Sequence, residues 1–88
     1  MRILAVLLCY GFTYADDVTS TGVAEQRTQG YAKQEALIRA KDDGWRRCDL
    51  RREDYVYDST VSEQCRALAN GQHECTVITC GHCRTRDP

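Results

Sequence analysis

The chain has 88 residues, 12 basic and 13 acidic side chains, and a formal net charge of −1. That balance lacks the basic excess on which general nucleic-acid or anionic-membrane binding depends, so neither is expected. A chain this short buries a small core and usually needs covalent help, which its six cysteines offer.

Residues 1–15 carry the three parts of a cleavable secretory signal peptide. Arg2 supplies a short positive start, residues 3–12 are apolar apart from Tyr10 and Gly11, and Thr13 and Ala15 are the small residues a signal peptidase reads. About ten apolar residues cannot span a bilayer as a helix, which takes roughly 20. A buried N-terminal strand is the alternative, but it sets an apolar block beside a chain whose mean hydropathy is −0.56. Cys9 follows Leu8 rather than a small residue, which does not suit lipoprotein cleavage. The expectation is a secreted protein with no stable membrane insertion once the signal is removed.

Cleavage leaves 73 residues and five cysteines: Cys48, Cys65, Cys75, Cys80 and Cys83. In an oxidising compartment these form two bridges with one thiol left over, either free or bonded to a partner chain. Residues 16–30 are polar, rich in Thr, Gln and Gly, and free of cysteine. They read as a flexible lead or propeptide in preference to one weak strand over residues 18–24. Residues 31–88 then form a single small cysteine-rich domain.

A helix is expected over residues 31–47, where Ala, Leu, Glu, Gln, Lys and Arg dominate and proline is absent. Ala32, Ala36, Ala40, Gly44 and Cys48 recur every fourth residue, with Leu37 alongside, as one stripe of small side chains suited to close packing. Ile38 and Trp45, seven apart, mark a second apolar line on a neighbouring face. Arg46, Arg47, Arg51 and Arg52 follow, interleaved with Asp42, Asp43, Asp49, Glu53 and Asp54, which cancel their field. This stretch reads as a solvated connection. It also reads as a processing signal: a cut after Arg47 releases a 41-residue peptide holding all five cysteines, and a cut near Arg52 is the variant.

Residues 55–62 alternate and are rich in Tyr, Val and Thr, as a strand requires. Asn70 and Gly71 signal a hairpin, and the β-branched residues 74–80 form its second strand. Cys75, Val77 and Thr79 share one face of that strand; Thr76, Ile78 and Cys80 share the other. The resulting expectation is a small disulfide-rich α+β fold, one helix packed on a two- or three-stranded antiparallel sheet. Cys48 is expected to pair with Cys80 and Cys65 with Cys75, leaving Cys83 as a free thiol or the link in a disulfide-bonded dimer. A one-residue slip in register reverses these faces.

Cys80, Gly81, His82 and Cys83 form a run that resembles the active-site motif of the protein disulfide isomerase family within the thioredoxin fold. The resemblance implies an attacking thiol at Cys80 and a resolving thiol at Cys83. It covers four residues, and residues 84–88 leave no room for the helix that carries the motif in that family. His73, Cys75, Cys80, His82 and Cys83 also lie close enough in sequence to suggest zinc. Strand alternation divides them between faces, and disulfides compete, so no metal or other cofactor is expected. No hydrolytic motif is present, and Asp42 and Asp43 face solvent on a helix. Trp45, Tyr55 and Tyr57 are candidates for contact aromatics or for the core itself.

These features lead to a non-enzymatic, disulfide-stabilised effector or binding protein, such as a venom-type toxin acting on an extracellular protein target. The alternative is a structural or host-interaction protein of the extracellular space or periplasm, with the whole mature chain folded. A thiol-disulfide oxidoreductase using the CGHC run is a third reading.

Overall fold

The computed structural model describes residues 17–86, so the expected signal peptide lies outside the described residues. The elements are β1 (Asp17–Gln26), α1 (Gln29–Asp49), β2 (Glu53–Ala67) and β3 (His73–Thr85). They form the expected helix-on-sheet α+β fold, with a three-stranded antiparallel sheet in the order β1-β3-β2. β3 is central because it carries the most β-branched and buried sequence. β1 and β2 both run antiparallel to it, hence parallel to each other. A crossover must join parallel strands, and α1 is that crossover, laid across one face of the sheet.

The polar lead expected over residues 16–30 is corrected: Asp17–Gln26 is a full edge strand, in register with β3 from Asp17 opposite His82 to Gln26 opposite His73. Its inward positions are Val18, Ser20, Gly22 and Ala24, all buried. Three of these are small or polar, so the usual apolar alternation is muted. Small residues are what this interface demands. A Cβ placed on Gly22 would lie 2.1 Å from the Ala36 carbonyl oxygen and 2.4 Å from the Ala40 nitrogen. The backbones of β1 and α1 touch there.

Helix α1 begins at Thr28, whose hydroxyl accepts from the Tyr31 backbone N–H at 3.2 Å. It ends with Arg46 and Arg47 in the last turn, where cations suit the helix dipole. The stripe Ala32, Ala36, Ala40, Gly44 and Cys48 is its buried face. At the hairpin, Gly71 takes a φ of 85°, and the Gln72 N–H donates to the Asn70 side chain at 3.0 Å. β2 carries irregularities between Tyr57 and Ser59 and between Thr60 and Ser62, which bend it as bulges do.

Among the described residues the core has two apolar patches. Ala24, Ala32, Ala36, Ala40, Cys75 and Val77 form one, flanked by Leu37 and Cys65. Val18, Cys48 and Cys83 form the other, flanked by Tyr55. Between them lie the buried side chains of Ser20 and Thr79, with the Tyr55 hydroxyl 3.3 Å from Thr79 Oγ1. The Tyr55 ring is wedged between two glycines: a Cβ on Gly44 or on Gly81 would meet it at 2.6 Å.

Candidate interaction surface

The cysteines sit as strand parity dictates. Cys75, Val77, Thr79, Gly81 and Cys83 alternate along the helix-facing side of β3 and are all buried. Cys83 therefore meets Cys48 at the C-terminal end of α1, and the two are bonded. The expected Cys48–Cys80 bridge is corrected, because Cys80 lies on the opposite face of β3. The helix end cannot reach it through the sheet. The expected spare thiol at Cys83 falls with it, and so does the basis for a Cys83-linked dimer. Cys65 and Cys75 face each other across the hairpin and are bonded. Cys80 is also disulfide-bonded.

The geometry of the CGHC run differs from the one its resemblance implies. The run is extended, in a central strand, with Cys80 and Cys83 on opposite faces and Cys83 committed to Cys48. Among the described residues no helix N-terminus stands behind Cys80, whose sulfur is itself held in a disulfide. His82 Nδ1 lies 3.0 Å from Asp58 Oδ2 on the outer face of the sheet, while His73 opens β3 at its far end. Among the described residues no group of three or more His, Cys, Asp or Glu side chains is placed to hold a metal ion.

The three aromatic candidates separate. Tyr55 belongs to the core, and burial there pushes its hydroxyl pKa above the ordinary tyrosine range. Tyr57 is at the surface, with Lys41 Nζ 4.4 Å above its ring. Trp45 projects from α1 and is 47 % exposed. It continues a line with Ile38 (56 % exposed) and Tyr31 (66 % exposed), one large side chain every seven residues. Seven residues make almost two helical turns, so the three stand in a row on the solvent side of α1. Tyr31 was missed from sequence, although the same seven-residue spacing points to it.

The row is flanked by polar groups. Tyr31 and Ile38 border an open depression with Gln26, Gln34 and Glu35; Trp45 borders another with Asp42, Arg46 and Asp49. Glu35 accepts from the Gln26 amide, and this bond, with the nearby Arg39, holds its carboxyl below the usual range. At the other end the Arg86 guanidinium lies 5.4 Å from the Trp45 ring. Arg86 also donates to Asp49 at 2.6 Å, Asp54 at 2.7 Å and the Glu53 carbonyl at 3.2 Å. Trp45 thus stands on a braced corner where α1, β2 and the chain after β3 meet.

Both edges of the sheet are modified. On β1, Arg39 donates to the Val23 carbonyl and Arg47 to the Thr19 carbonyl, each at 2.9 Å. Side chains occupy acceptors that a further strand would use. On β2 the two irregularities interrupt regular pairing. The helix row is consequently the more open contact surface. Among the described residues no helix is long and apolar enough to cross a membrane. No protein-family model, curated protein or solved structure matches the chain.

Proposed function

We propose that this chain is a secreted, non-enzymatic binding protein, an effector that grips an extracellular protein target through the outer face of α1. The observation that carries the reading is the row Tyr31, Ile38 and Trp45, large apolar side chains held exposed on a helix whose opposite face is locked to the sheet. Aromatic and aliphatic anchors on a rigid element, spaced at i and i+7, suit a groove or flat apolar patch on a partner protein. The disulfides fit an oxidising compartment, and Cys48–Cys83 holds the end of the helix in place without the target.

The fold favours action by the whole folded chain over release of a short toxin-like peptide. A cut after Arg47 discards β1 and most of α1, and with them the cover over Cys75, Val77 and Thr79. The oxidoreductase reading has little geometric support, because Cys80 and Cys83 face apart.

The test is binding of the labelled, disulfide-intact protein to extracellular fractions and intact cells, compared with Trp45→Ala and Ile38→Asn. Both positions are exposed, so both variants should keep the wild-type circular dichroism spectrum. Loss of about tenfold or more in saturable binding is expected for each, as for central anchors elsewhere. Equal binding by the variants sinks the helix-face reading. Turnover of a substrate by the purified protein sinks the non-enzymatic one.

A further inference from the structure

The fold sorts the two arginine pairs into different environments. Arg46 and Arg47 lie within the last turns of α1, where Arg47 donates to the Thr19 carbonyl and pairs with Asp43 at 3.1 Å. An endoprotease takes its substrate as an extended segment, so a cut there requires the helix end to unwind and leave β1. Arg51 and Arg52 are exposed as Arg46 and Arg47 are, and Arg51 reaches Cys83 Sγ at 3.3 Å and Glu53 at 3.8 Å. They stand instead in the turn joining α1 to β2, where no helix has to unwind. Arg52 has a φ of 59°, a left-handed conformation unfavourable for a residue with a Cβ. The turn is held by the Arg51 N–H to the Cys48 carbonyl and the Arg52 N–H to the Asp49 carbonyl, each at 2.9 Å.

We propose that the Arg52–Glu53 bond is a processing site for an endoprotease that recognises two consecutive basic side chains, and that the product is a two-chain molecule rather than a released peptide. The step is hydrolysis: water adds across the amide, Arg52 ends as a carboxylate and Glu53 begins as an ammonium, with no change of oxidation state. Three features hold the pieces together. Cys48 lies before the cut and Cys83 after it, and they are bonded. β1 stays paired with β3 along its length. Arg86 binds Asp49 on one side of the cut and Asp54 on the other. Cleavage also frees Arg52 from its left-handed backbone. The cut falls at the Trp45 end of the exposed helix row, because Arg86 is the residue packed against Trp45.

The experiment treats the disulfide-intact protein with a limiting amount of a paired-basic endoprotease and follows intact mass with and without reduction. The first product should be heavier by one water before reduction and should separate on reduction into pieces ending at Arg52 and starting at Glu53. Cutting at Arg46 and Arg47 should be about tenfold slower or more, because it needs a larger local opening. Arg52→Gly suits the positive φ and should keep the fold while losing the first cut. Arg86→Gln should speed that cut several-fold by loosening the clamp. The proposal is overturned if the first cut falls elsewhere, or if the pieces separate without reduction. It is overturned equally if the folded turn resists while the reduced, unfolded chain is cut there.

Discussion

Gly22 decides how closely helix and sheet approach. Its missing Cβ leaves room for the Ala36 carbonyl and the Ala40 nitrogen, which are backbone atoms and cannot rotate aside. Gly22→Ala must therefore lift α1 from β1, and a loss of about 3 kcal/mol in urea unfolding is expected, the upper range for overpacking. Tyr55 gives a second residue-level prediction. Burial raises its pKa, with the Thr79 and Ser20 hydroxyls partly offsetting that. The folded state thus keeps the phenolic proton at a pH where the unfolded chain has released it. Stability should be level with respect to this group below a pH of about 10 and fall as pH rises beyond it. Alkaline unfolding followed by circular dichroism checks this, and Tyr55→Phe should flatten that part of the profile. An unchanged profile in Tyr55→Phe assigns the alkaline loss to other groups.

At the scale of elements, the two disulfides that join described residues to each other do different work. Cys48–Cys83 spans 35 residues and ties the end of α1 to the end of β3; Cys65–Cys75 spans 10 and braces one hairpin. The chain-entropy argument gives about 4 kcal/mol for the longer loop and about 3 kcal/mol for the shorter. Removing Cys48 and Cys83 as a pair of alanines should lower stability more than removing Cys65 and Cys75. Hydrogen exchange should localise the loss, to the helix end in the first case and to the hairpin in the second. The edge arginines are part of the same economy: a strand as plain as β1 is kept in place by what the helix lays over it.

For the molecule as a whole, the buried face of α1 is alanine, glycine and cysteine. Such a core gains little apolar burial per residue, so no half of it stands alone. A fragment of residues 48–88 keeps all five expected mature cysteines yet loses β1 and nearly all of α1. It should show no cooperative thermal unfolding and no dispersed amide spectrum, whereas residues 16–88 should show both. Cooperative folding of the shorter fragment would restore the released-peptide reading.

Residue order by itself determined the local periods. A small residue every fourth position made α1 and chose its packing face, and Asn70 with Gly71 made the β2–β3 turn. The β-branched run made β3. These are short-range effects of backbone sterics and side-chain spacing, legible without knowing what lies opposite. Strand alternation likewise separates Cys80 from Cys83, but it does not say which of the two faces the helix. Only the tertiary structure decided that, by laying α1 on the side of Cys75 and Val77 and so joining Cys48 to Cys83. The same placement turned the faint pattern Val18, Ser20, Gly22 and Ala24 into a strand, because a backbone-close helix rewards small residues over large apolar ones. It also left Tyr31, Ile38 and Trp45 in solvent, since a single helix on a three-stranded sheet has only one face to bury.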